Sequence, residues 1–174
     1  MPPAILNSRV ASPLARKALD VAISQMGVSE VPLGSNDGPE VKLYLASIGL
    51  GPGYAWCAAF VYWCTQKACT INGATNPLKK TGGVQAMFKA ATGKGLQKID
   101  SGVKFLTAED VRPGDIFIMI FKGGLGHTGF IEKVSGTDIF TVEGNTDPAG
   151  GREGVGVYRK RRKISAIKGL IRLV

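Results

Sequence analysis

The 174-residue chain carries 22 Lys and Arg against 13 Asp and Glu, a net charge of +9, and is 44% hydrophobic. That length suits one domain with a sizeable core, and the composition is that of a globular protein rather than a disordered or fibrous one. No segment approaches the roughly 18 apolar residues that span a bilayer, and three cysteines at close spacing, an odd number, argue against a disulfide framework.

The first half reads as helical. Ser12 stands as an N-cap with Pro13 at the first helical position, and Leu14, Ala18, Val21, Ala22 and Gln25 recur at helix spacing until Gly27. The loop VPLGSNDG follows, rich in turn residues. Pro39 opens a second helix with Val41, Tyr44, Leu45 and Ile48 on one face and Gly49 as its stop. After the glycine-rich LGPGYAW, the apolar run from Cys57 to about Cys69 reads as a buried helix, and a shorter helix is predicted within Gly82 to Gly93.

The second half changes character. The turn Arg112-Pro113-Gly114-Asp115 feeds the β-rich IFIMIF, HTGFIEKV alternates up to the hairpin signal SGTD, and DIFTVEGN follows. Beyond the glycine-rich DPAGGREG, the segments VGVYRKRR and AIKGLIRLV complete the set. Helices first and strands later predict an α+β fold with an antiparallel sheet. With no internal repeat or linker, residues 1–13 are expected to form an N-terminal extension and residues 14–174 a single domain.

Among the cysteines, Cys57 alone sits at an element boundary, where the positive end of a helix stabilises a thiolate and free first-turn N–H groups can face an oxyanion. Cys64 and Cys69 lie inside the apolar run as packed residues. The spacings C-x6-C and C-x4-C do not match a zinc site, and the single histidine is far away in sequence. That histidine, His127, lies where a glycine-rich loop enters a strand; a lone histidine is more often structural than catalytic, but the flanking glycines leave this imidazole approachable. Glu143 and Asn145 close the next strand, so a hairpin can bring Glu143 to His127 and orient the imidazole toward a thiol.

The positive charge is densest in YRKRRK, Tyr158 to Lys163. It suits a polyanionic partner, such as nucleic acid, an acidic wall or anionic lipid, or else a solvated face. There is no nucleic-acid motif and no aromatic-interleaved basic run, so no specific nucleic-acid partner is expected.

The segments WCAAFVYWC, RPGDIFIM, GHTGFIEKV, TVEGNT and GREGVGVYRK together resemble the CHAP domain, the cysteine- and histidine-dependent amidohydrolase/peptidase group of the NlpC/P60-like, papain-type superfamily. The resemblance spans about residues 14–174 and implies a papain-like α+β core acting on amide bonds of bacterial peptidoglycan. It implies Cys57 as nucleophile, His127 as general base and then acid, Glu143 as orienting residue and Asn145 as a supporting polar residue. Many CHAP domains place Gln before the cysteine; here that residue is Trp56, which can wall a substrate cleft or pack in the core. Asn36 and Asp37, with Ser35 and Glu40 nearby, are candidates for a cleft rim, Asp37 alternatively for capping the helix at Pro39. No metal or organic cofactor is expected: this loop lacks the dense alternating acids of a calcium site. The N-terminus shows no secretory signal pattern. The expectation is therefore synthesis in the cytoplasm and action at the bacterial wall after lysis or non-classical export. A phage lysin would act in this way, and so would an antibacterial effector, which would also need an immunity protein as partner.

Overall fold

The computed structural model describes residues 10–149 and 154–174. Most of the expected N-terminal extension, and Gly151, Arg152 and Glu153 of the GREG segment, lie outside the described residues. Helix α1 runs Pro13–Ser24, α2 Pro39–Ser47, α3 Cys57–Ile71 and α4 Val84–Lys89. The strands are β1 Leu96–Asp100, β2 Ile116–Ile120, β3 Gly126–Ser135, β4 Asp138–Thr146, β5 Gly156–Lys163 and β6 Gly169–Leu173. They form one sheet in the order β1-β6-β2-β3-β4-β5, and every pairing is antiparallel. The α+β expectation holds.

Local chemistry accounts for the helix starts. The Ser12 hydroxyl accepts the Ala15 N–H and, with Pro13 at the first helical position, opens α1 as expected. Pro39 opens α2, and Val41, Tyr44 and Leu45 are buried on one face. Strand alternation then divides the core. Ile116, Ile118, Phe130 and Val142 face the helices, while Phe117, Ile131, Ile139 and Leu170 turn to the opposite face, where Val111, Ile164 and Ile167 cover them.

One feature fixes the helices to one another and a second fixes a turn to the sheet. Tyr44 of α2 stacks on Trp56 and meets Phe60 and Trp63 edge-on, with ring centroids 5.0 to 5.5 Å away, and its hydroxyl donates to Gln25 Oε1 at 2.7 Å. At the other end, the buried Arg172 of β6 forks onto Asp115 at 2.8 Å through both Nε and Nη2. Asp115 also accepts the Arg112 N–H at 2.8 Å. This ties the Arg112–Asp115 turn to the far strand.

Strand β1 is absent from the sequence reading. It pairs with β6 at the other end of the chain, and its Gln97 and Lys98 are exposed, so no local alternation marks it.

Candidate active site

Cys57 is the first residue of α3, and no side chain caps that helix start. The Phe60 N–H closes the first turn on the Trp56 carbonyl at 2.8 Å. The N–H groups before it therefore face the space at the head of the helix, where a negative charge is favoured. Burial pushes the Cys64 thiol far up and raises Cys69 as well; both stay protonated inside α3 and are chemically passive.

The start of α3 is held from two sides. The Trp56 indole N–H donates to Glu30 Oε1 at 2.8 Å, with both residues buried. On the other side β4 presses Gly144 against the helix. A Cβ there would stand 2.6 Å from Phe60 Cγ and 2.8 Å from Trp56 Cζ3, so only a glycine lets β4 approach so closely. This approach brings the end of β4 to the head of α3.

His127 is the second residue of β3, opposite Met119 of β2. Its Nε2 meets Glu143 Oε2 at 2.7 Å, and the ring also hydrogen-bonds the Cys57 thiol. With Nε2 engaged by Glu143, Nδ1 is the ring nitrogen left for Cys57. Glu143 is fully buried and accepts further hydrogen bonds: Thr141 Oγ1 at 2.5 Å, Arg162 Nε at 2.6 Å and Arg162 Nη2 at 2.6 Å. Its side chain crosses Gly129, where a Cβ would stand 2.9 Å from Glu143 Cγ and 2.8 Å from the Val142 carbonyl oxygen.

The charges follow from these contacts. Burial opposes ionisation of Glu143, but Arg162 and His127 outweigh it and hold the carboxyl at about 2. Burial likewise opposes a charged imidazole, yet the Cys57 and Glu143 contacts raise His127 to about 9. An ionised carboxylate only accepts hydrogen bonds, so the neutral ring carries its proton on Nε2 and offers the Nδ1 lone pair to Cys57. The site is thus built to move a proton between sulfur and imidazole.

The structure brings Cys57, His127 and Glu143 together. Asn145 lies two residues beyond Glu143, where the β4–β5 register shifts. It adopts a left-handed backbone conformation with φ 55°, and its buried Oδ1 finds no hydrogen-bond partner among the described residues. Trp56 corrects an expectation: with no exposed surface, it packs against Tyr44 and Phe60 and walls no cleft. The exposed aromatic of that loop is Tyr54, 56% accessible. Asn36 adjoins the same loop through its carbonyl, which accepts the Gly53 N–H at 2.9 Å. Asp37 does not cap α2. Gly38 holds the N-cap position without a side-chain bond, and Asp37 Oδ1 takes the Gly38 N–H at 2.6 Å and lies 3.4 Å from Lys42 Nζ.

Three residues around the site escape the sequence reading: Glu30, Thr141 and Arg162. Arg162 lies inside the basic run, and the signal for it is alternation. Tyr158, Lys160 and Arg162 fall on one face of a strand whose hairpin partner carries Thr141 and Glu143. Among the described residues no group of three or more His, Cys, Asp or Glu side chains is arranged to hold a metal ion. No described helix is long and apolar enough to cross a membrane.

Solved structures share this architecture. The endolysin LysIME-EF1 matches with a TM-score of 0.59 at 16% identity, over 91% of this chain and 63% of its own. Ly7917 matches with a TM-score of 0.54 at 16% identity, over 91% of this chain and 62% of its own. The same protein solved with the hydrolyzing product of MDP matches at 0.51 and 17% identity, over the same shares. The chain thus spans less than two thirds of the length of these structures. No curated protein sequence matches it. The sequence pattern of the CHAP domain matches residues 49–145, more than half of the chain and the stretch that contains Cys57, His127, Glu143 and Asn145. With a cysteine at a helix head answered by a histidine and a carboxylate on adjacent strands, the chain belongs to the CHAP domain family.

Proposed function

We propose that this chain is a peptidoglycan hydrolase that cleaves an amide bond, either as an N-acetylmuramoyl-L-alanine amidase or as a peptide endopeptidase. The observation that carries the reading is the buried relay from Cys57 through His127 to Glu143, set in a CHAP domain. The likeness to the endolysin LysIME-EF1, and to Ly7917 solved with the hydrolyzing product of MDP, supports a wall-derived substrate.

In the proposed mechanism His127 holds the proton given up by Cys57, as an imidazolium beside the thiolate, and the thiolate attacks the amide carbonyl carbon. First-turn N–H groups of α3 face the oxyanion. The imidazolium then protonates the departing amine, leaving a thioester on Cys57. Water, deprotonated by the same ring, attacks the thioester and releases the acid and the thiol. Glu143 keeps the ring in the working tautomer and stabilises its charge, with Asn145 as a supporting polar residue. Asn36 and Asp37 supply a rim of the substrate cleft. No step needs a metal or an organic cofactor.

Purified cell walls should turn clear with the wild type and stay turbid with Cys57→Ala. Mass spectrometry of the released muropeptides assigns the bond: free lactyl ends mean amidase, new peptide termini mean endopeptidase. Binding to walls by both variants with no amine released by either would overturn the hydrolase reading in favour of a wall-binding module. In the cell we place the enzyme at the bacterial wall, as a phage lysin or as an antibacterial effector paired with an immunity protein.

A further inference from the structure

The basic run of β5 is two populations of cation. Arg159 pairs with Glu132 at 2.8 Å, Arg161 and Lys163 with Asp138 at 2.5 and 2.7 Å, and their side chains are 52, 66 and 59% exposed. Arg162 is 20% exposed and turns inward to a carboxylate with no exposed surface. It grips both oxygens of Glu143, and its guanidinium overlies the Phe117 ring at 5.8 Å. The geometry points to Arg162 as a positioning residue of the active site, which sets the orientation and the charge of Glu143 and through it the proton position on His127. This inference rests on the thiol-hydrolase reading for its kinetic consequences only.

Among the described residues Glu143 meets groups from the strands around it, and Tyr158 and Lys160 share the β5 face of Arg162. From β3 comes the His127 ring, from β5 the Arg162 fork, from β4 itself the Thr141 hydroxyl and from β2 the apolar Phe117 ring, with Cys57 of α3 beyond the imidazole. Arg162 is therefore the permanent cation at this carboxylate. Without it, burial favours the neutral acid. A neutral carboxyl presents an O–H to Nε2, which moves the ring proton to Nδ1. That proton then points at the Cys57 sulfur and blocks its deprotonation. The fork also matters as geometry: two parallel N–H donors fix the carboxylate plane, which a single ammonium does not.

The test compares wild type, Arg162→Met and Arg162→Lys. Nitrogen NMR of the His127 ring, recorded without any substrate, reads the tautomer and the titration directly. In the wild type the ring should hold its second proton up to about pH 9, and the neutral ring should carry its proton on Nε2. In Arg162→Met the titration should fall and the neutral ring should carry its proton on Nδ1. Wall-lysis kcat/KM should drop roughly 10–100-fold, the scale on which outer partners of a reactive group act, and the loss should deepen toward acid pH. Arg162→Lys should keep the ring titration near wild type while kcat falls severalfold. If Arg162→Met does not fold, the lysine variant decides. Wild-type kcat in Arg162→Lys, or wild-type tautomer and titration in Arg162→Met, would overturn the inference. A wild type that clears no walls would instead remove the hydrolase reading, and the ring measurement would still stand.

Discussion

The decisive residue contacts are those that fix a proton. Glu143 at about 2 and His127 at about 9 form a pair whose charges persist across the neutral range. On the proposed mechanism activity should therefore fall as pH rises through about 9, where the imidazolium that would protonate the leaving amine is lost. The linkage to stability has the same sign. His127 is raised above its ordinary 6.5, so its contribution is full below that value and disappears as pH rises through about 9. Glu143 is depressed from 4.5, so its contribution is full above that value and is lost as pH falls through about 2. Glu143→Gln should lower kcat by between about a hundred- and ten-thousand-fold with the wall-binding constant little changed, as expected when a ring loses its orienting carboxylate. Gly129→Ala should act on the same bond by a steric route. Its new methyl would stand 2.9 Å from both Glu143 Cγ and Phe117 Cε1, and a thermal melt should register an overpacking cost of about 1–3 kcal/mol beside the loss of rate.

At the scale of elements, the position of Cys57 depends on how the head of α3 is anchored. Trp56 buries its whole side chain and gives its N–H to Glu30. Trp56→Phe keeps much of the packing but leaves a buried carboxylate oxygen without its donor. Denaturant unfolding should show a loss of about 1–3 kcal/mol for the unmet hydrogen bond, and lysis should weaken because Cys57 is the next residue. Much of this arrangement is legible in the sequence. Ser12, Pro13, Pro39 and the Arg112–Asp115 turn announce their elements because capping and turn chemistry is local. The Cys57, His127 and Glu143 set is legible because Cys57 opens α3, His127 stands at the start of β3 and Glu143 lies on the next strand of the hairpin. Trp56 was ambiguous because an indole beside a nucleophile suits a cleft or a core, and only the approach of Tyr44 and Gly144 decides. Arg162 was hidden because its partner lies 19 residues away and its neighbours in the run are surface cations. Strand β1 was hidden for a related reason: its partner among the described strands, β6, lies far along the chain at the C-terminal end.

For the whole molecule, the net charge of +9 should draw the protein to an anionic wall, and binding should weaken as salt rises. The densest basic run is not the best candidate for that contact, because Arg159, Arg161 and Lys163 already meet Glu132 and Asp138. Neutralising Arg161 and Lys163 should change wall affinity less than neutralising exposed lysines outside these pairs, such as Lys79, Lys80 and Lys122. Cosedimentation with purified walls across a salt series measures both effects. Of the three thiols, Cys57 alone carries the proposed chemistry. Treat the folded protein with iodoacetamide, map the adduct by mass spectrometry, and follow wall clearing in the same samples. The account predicts alkylation of Cys57 with Cys64 and Cys69 spared inside α3, and loss of lysis in proportion to the Cys57 adduct. Full lysis by protein fully alkylated at Cys57 would contradict it.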